Sequence, residues 1–183
     1  LSGFRFLDQR LVHRGAVIEL YDCRFAAPDG SEFHRDVVRH PGAVSVVPVL
    51  DDGRVVLVRQ YRAPLDRLML EIPAGKRDVE GESPEQTAHR ELVEEVGWAA
   101  AQLELLARFH NSVGFCDEES HVFLATGLSP APMDRQGVEE AAMEIVTVPL
   151  ADTAALVGSG EITDAKTVIG LTLARERLGG AAR

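Results

Sequence analysis

Glu82-Ser83-Pro84-Glu85-Gln86-Thr87-Ala88-His89-Arg90-Glu91-Leu92-Val93-Glu94-Glu95-Val96-Gly97-Trp98 is the stretch that orders the rest of the chain. Ser83 can cap a helix, Pro84 suits its first position, and Gln86 stands where its amide closes a capping box with Ser83. Gly97 supplies the stop, because glycine tolerates the left-handed conformation that ends a helix. Between these signals Ala88, Leu92, Val93 and Val96 make an apolar face, so the spacing predicts a helix over 84–96. At about 100° per residue, Glu91 and Glu95 lie about 40° apart, and Glu94 lies about 60° to the other side of Glu91. Three carboxylates therefore fan over one side of one turn, with Glu82 just ahead of the cap.

Like charges at this spacing cost an isolated helix about 0.2–0.5 kcal/mol per pair. They also sit toward the C-terminal end, where the helix dipole disfavours anions. Arg90, four residues before Glu94, is one cation against three anions. A hard divalent cation would neutralise the group: Mg²⁺ or Mn²⁺ suits carboxylate oxygens, and Mg²⁺ shares its shell with waters and substrate phosphates. The plain alternative is a solvated acidic face, and spacing alone leaves the two readings nearly balanced.

Outward from the helix, the chain alternates strands and turns. Residues 42–50 read as a buried strand, Asp51-Asp52-Gly53 as a turn and 54–61 as its hairpin partner. Residues 68–72 form a short strand that stops at Pro73. Strands are expected over 103–109, 121–126 and 144–148, and helices over 150–157 and 164–178. The segments 110–120 and 129–137 read as loops. Residues 4–40 read as thin, polar strands around the turn Pro28-Asp29-Gly30-Ser31, which need another surface to pack on. The expected division is a strand-rich extension over 1–40 and a main domain over 41–183.

Composition excludes several roles. The 183 residues suit one domain with a small appendage. With 29 acidic and 19 basic residues the net charge is −10, which repels a phosphate backbone and argues against a nucleic-acid partner. Cys23 and Cys116 cannot build a disulfide framework or a four-thiolate zinc site, and they fit a reducing cytoplasm. No apolar run approaches the ~18 residues a membrane helix needs, and the first ten residues carry no leader-like apolar core. The six histidines show no metal-binding spacing.

The box Glu82…Arg90-Glu91-Leu92-x-Glu94-Glu95-x-Gly97-Trp98 resembles the signature of the Nudix hydrolases. Gly75 stands one residue farther upstream of Glu82 than that signature has it, an insertion placed in the loop ahead of the helix. Gln60-Tyr61-Arg62, Leu70-Glu71-Ile72-Pro73-Ala74-Gly75 and His40-Pro41-Gly42-Ala43-Val44 resemble the ADP-ribose pyrophosphatase branch, as does the strand-rich N-terminal extension. The resemblance implies an α/β fold: an α/β/α sandwich around a mixed sheet, with an N-terminal antiparallel extension that pairs two copies into a homodimer. It implies Mg²⁺-dependent cleavage, Mn²⁺ serving as well, of a small molecule linked through a nucleoside diphosphate, ADP-ribose giving AMP and ribose 5-phosphate.

Carried over residue by residue, the resemblance makes Glu91 and Glu95 metal ligands together with the Ala74 carbonyl, and places Glu94 on a further ion. Arg90 becomes a positioning residue that holds these carboxylates by ion pairs, with Glu71 a candidate partner. Glu140, and after it Glu139, becomes the general base on a mobile loop. Arg62, Glu71, Arg35, Asp36 and Glu118 take positions that look like substrate contacts. Val113 stands where this branch usually carries a proline. That keeps other substrates in play: a sugar nucleotide, a dinucleoside polyphosphate or NADH. A catalytically silent nucleotide sensor is the alternative from another class.

Overall fold

The computed structural model describes residues 3–135 and 137–180, and its first three strands are antiparallel neighbours. β1 (Arg5–Arg14), β2 (Glu19–Ala26) and β3 (Glu32–Arg39) form one sheet in that order. Asp29 closes the β2–β3 turn by accepting from the Ser31 N–H at 2.9 Å and the Ser31 hydroxyl at 2.7 Å, the local closure that favours Asp in turns. Most side chains of β1 are exposed. What packs this sheet is a row of aromatic pairs: Phe6 on Phe25, with ring centroids 5.7 Å apart, and Phe25 on Phe33 at 5.5 Å.

The chain divides into two compact units. One takes in the chain up to Gly42 together with Phe109–Glu119. Within it Val38 and Cys116 form a parallel bridge, and Arg39 Nη1 donates to Asp117 at 2.9 Å. The other takes in Ala43–Arg108 and the chain from Ser120 onward.

The second unit is built from β4 (Ala43–Pro48), β5 (Arg54–Arg62), a 3₁₀ turn (Ala63–Leu65), β6 (Arg67–Glu71), β7 (Ala74–Lys76) and α1 (Pro84–Val96). It continues with all but the ends of β8 (Trp98–His110) and β9 (Glu119–Pro130) that fall in the first unit, and with α2 (Gly137–Ala141), β10 (Glu144–Pro149), α3 (Thr153–Gly158) and α4 (Ala165–Gly180). Strand order is β10-β5-β6 in an antiparallel sheet and β7-β4-β9-β8 in a mixed one, in which β4 and β9 run parallel. β4 is buried from Val44 to Pro48, as a strand covered on both faces must be. Val44 and Val46 join Ala88, Leu92 and Val96 of α1 in one core cluster. Val47 meets α4 where a Cβ on Gly170 would stand 3.0 Å from Val47 Cγ2. Two helices thus cover a mixed α/β core.

Three elements differ from the sequence reading. β8 starts directly at Trp98 rather than near 103; alanines 99–101 carry little intrinsic strand preference, and tertiary pairing overrides it. Residues 137–141, read as the end of a loop and its continuation, form the short helix α2, too brief for periodicity to register. The three-residue β7 escaped for the same reason. No helix among the described residues is long and apolar enough to cross a membrane.

Candidate active site

Helix α1 begins and ends as its punctuation predicts. Gln86 N–H donates to Ser83 Oγ at 3.2 Å and Ser83 N–H to Gln86 Oε1 at 2.8 Å, a complete capping box, a cap whose side chain is typically worth about 1 kcal/mol. Gly97 ends the helix with φ 70°. The next backbone partners come from the segment after β9: Asp134 N–H donates to the Glu94 carbonyl at 3.2 Å, and Arg135 Nε to the Glu95 carbonyl at 2.9 Å. Arg135 also donates to the Met143 carbonyl at 2.8 Å, so one guanidinium ties the end of α1 to the turn that carries α2. Sequence reading missed this tether, because Arg135 lies in no motif.

The apolar stripe that seats α1 on β4 brings the carboxylates against β7. Gly75 is where the backbone passes Glu91: a Cβ there would stand 1.8 Å from Glu91 Cδ, so any side chain at 75 would displace the carboxylate. Glu95 is buried, 3% exposed, and its Oε2 accepts from the Ala74 N–H at 3.0 Å. No cation forms a salt bridge with the Glu95 carboxylate among the described residues. Burial therefore pushes its pKa up to about 8, with Glu91 and Glu140 adding repulsion against the pull of the Ala74 N–H and Arg62. Glu91 is raised too, chiefly by burial and further by Glu94 and Glu140, although Arg90 opposes the shift.

Arg90 serves the rest of the cluster. Its Nη1 donates to Glu91 at 2.8 Å and to Glu94 at 2.9 Å, while Nε and Nη2 both reach Glu82 at 3.1 Å. These hydrogen bonds and the Glu91 charge raise Arg90 further above its already high value, against the cost of burial. Glu71, the candidate partner for Arg90, is paired elsewhere. Arg62 clamps it with Nε at 2.8 Å and Nη2 at 2.6 Å, and Lys166 Nζ donates to the same carboxylate. Burial alone would raise Glu71, but Arg62 and Lys166 outweigh it and hold its pKa at about 2. Lys166 went unnoticed in the sequence because it stands 95 residues from Glu71 and only the docking of α4 joins them.

Glu140 lies near enough to Glu91 and Glu95 for its charge to help raise both, whereas Glu139 is exposed and acts on Tyr61. Arg35, Asp36 and Glu118 belong to the other unit. There Arg35 lies 4.7 Å over the Phe33 ring and donates to the His34 carbonyl at 2.7 Å. Asp36 is exposed on β3 opposite Asp22, and Glu118 stands 3.7 Å from His40 Nδ1. Val113 is 81% exposed.

No group of three or more His, Cys, Asp or Glu side chains among the described residues stands ready as a cation shell, and Arg90 pairs with both Glu91 and Glu94. The donor chemistry nonetheless fits a hard dication: oxygen ligands only, one of them a buried carboxylate with no salt bridge among the described residues, beside a strand whose Gly75 admits the Glu91 carboxylate.

Comparison with known proteins agrees with this chemistry. Residues 39–166 match the NUDIX domain family. The ADP-ribose pyrophosphatase of Bacillus subtilis (strain 168) is 46% identical over 156 residues, covering 85% of this chain and 84% of the relative. The ADP-ribose pyrophosphatase of Mycobacterium tuberculosis (strain ATCC 25618 / H37Rv) is 38% identical over 168 residues, covering 92% and 81%. A crystal structure of an ADP compounds hydrolase superposes with a TM-score of 0.85 at 26% identity, covering 98% of this chain and 96% of that one.

Proposed function

Because the chain belongs to the Nudix hydrolase family, we propose that its pyrophosphohydrolase activity is directed at ADP-ribose and carried by Glu91, Glu94, Glu95 and Glu140. The observation that carries this reading is Glu95, a buried carboxylate with which no cation among the described residues forms a salt bridge. Glu91, Glu95 and the Ala74 carbonyl would hold one Mg²⁺, and Glu94 would hold another. When bound, such ions withdraw charge from the diphosphate and acidify a coordinated water. Mn²⁺ has the same ligand preferences.

The chain's own groups supply the remainder. Arg90 holds Glu91, Glu94 and Glu82 in one array. Glu140, carried on α2 and tethered near the end of α1 through Arg135, accepts the proton of the attacking water. Proton transfer of this kind is typically worth about 10²–10⁴-fold. Water adds to one phosphorus, the P–O–P bond breaks, and the departing phosphate leaves as a monoester: AMP and ribose 5-phosphate. Arg62, anchored by Glu71 with its guanidinium partly exposed, donates to a phosphate oxygen. The N-terminal sheet, with Phe4 and Phe6 exposed, pairs two copies. Light scattering that gave the mass of a single chain would overturn that pairing.

The test is a substrate panel in Mg²⁺ with product identification. ADP-ribose should be cleaved to AMP and ribose 5-phosphate with a higher kcat/KM than sugar nucleotides, dinucleoside polyphosphates or NADH. Exposed Val113 makes the sugar nucleotides the important comparison, and faster turnover of any of them would overturn the substrate assignment.

A further inference from the structure

In a chain of net charge −10, three cationic side chains meet in one recess of about 530 Å³ beside the 3₁₀ turn and the start of α4. They are Arg62, Arg67 and Lys166, and the carboxylates among the lining residues are Glu71 and Asp164. Both carboxylates are already engaged. Glu71 is held by Arg62 and Lys166. Asp164 Oδ2 accepts from Lys166 Nζ at 2.9 Å, from the Thr167 N–H at 2.9 Å and from the Thr167 hydroxyl at 2.6 Å. The end of α4 is thereby capped by the chain itself and is not the attraction.

Arg67 is the cation left over. Its exposed side chain donates from Nη2 to Thr163 Oγ1 at 3.2 Å and from Nε to Met69 Sδ at 3.1 Å. Neither partner is charged, and no carboxylate forms a salt bridge with Arg67 among the described residues. Pro64 and Leu65 supply apolar surface to the same recess, Leu65 being 56% exposed. Pockets that take small molecules combine apolar surface with a few convergent polar groups in this way.

We propose that this recess, which joins Arg67 and Thr163 to the Pro64–Leu65 surface, binds a phosphomonoester. A guanidinium fork matches two oxygens of a terminal phosphate, the Thr163 hydroxyl is a third donor, and the apolar surface takes the attached sugar or nucleoside. Binding here does not depend on which diphosphate the enzyme cleaves. Arg62 belongs both to this recess and to the surroundings of Glu95, so an occupant sits beside the carboxylate cluster without touching the ligands of α1.

The experiment is calorimetric titration of the full chain in EDTA with AMP, ribose 5-phosphate and inorganic phosphate. Without a divalent cation the carboxylates of α1 repel phosphate, so heat reports the recess whether or not the ADP-ribose assignment holds. Saturable one-site binding is expected for a monoester, weaker binding for inorganic phosphate, and a loss of about tenfold or more in Arg67→Gln. Thr163→Val should weaken binding less, and Arg67→Gln should leave Mg²⁺-dependent turnover unchanged. Tighter binding of AMP identifies a nucleoside on the apolar surface, and tighter binding of ribose 5-phosphate a sugar; either supports the site. Absence of saturation at millimolar ligand, unchanged affinity in Arg67→Gln, or inorganic phosphate binding as tightly as both monoesters would each overturn it.

Discussion

Glu71 and Glu95 are buried to almost the same degree in one unit, at 1% and 3% exposure, yet their charges are treated in opposite ways. Glu71 receives a bidentate guanidinium and an ammonium, which together hold it down at about 2. Glu95 receives one backbone N–H and stands among other carboxylates, which leaves it near 8. A buried charge costs several kcal/mol unless it is paired. The chain meets that cost internally at Glu71, whose pair locks β5 and β6 to α4. At Glu95 no cation among the described residues forms a salt bridge, so a proton, or under the proposed function a bound metal ion, would offset the charge. The first arrangement is compensated within the chain, and the second is not.

Three experiments can break or sharpen that contrast. The largest effect belongs to Glu95→Gln. Turnover should fall by about a thousandfold or more, on the order of 4 kcal/mol of transition-state stabilisation, while the chelated protein melts no lower than the parent. Near-parental turnover would remove Glu95 from the metal site and leave it as an unexplained buried acid. Next comes Lys166→Met, which leaves Glu71 with Arg62 alone. Breaking a buried network from one side should lower the unfolding free energy by about 3 kcal/mol, read from urea denaturation. An unchanged midpoint would mean that Arg62 suffices and that the two sites differ less than their surroundings suggest.

The smallest effect is in the pH dependence of melting with chelator present. Glu95 is raised above its ordinary 4.5, so its contribution is fully present below about 4.5 and lost as pH rises through about 8. Glu71 is lowered, so its contribution is present above about 4.5 and lost as pH falls through about 2. The midpoint should therefore decline on both sides. Glu95→Gln should flatten the alkaline limb by about 2 °C or more and leave the acid limb in place. An alkaline limb that persists in Glu95→Gln would assign it to another group.

How much of this could be read beforehand varied with distance along the chain. The capping box, the stop at Gly97 and the array of Glu91, Glu94 and Glu95 are local, and each was legible from neighbours within a few turns. That the charge of Glu140 reaches Glu91 and Glu95 while that of Glu139 reaches Tyr61 depends on where α2 packs, which no local pattern gives. The pairing of Glu71 was misplaced on Arg90, because sequence proximity in a motif is a poor guide to which cation a buried acid meets. Lys166 and Arg135 carried no signal at all: a lone basic residue on a helix or in a loop looks like any solvated charge.

By itself, then, the order of residues determined the helix, its ends and its one-sided acidity, since all of these follow from periodicity and capping within a single element. Only the tertiary structure decided which acids are neutralised and which are left wanting. Charge compensation depends on burial and on partners brought together across strands and helices, as Lys166 is to Glu71 across 95 residues. Neither quantity exists in an unfolded chain.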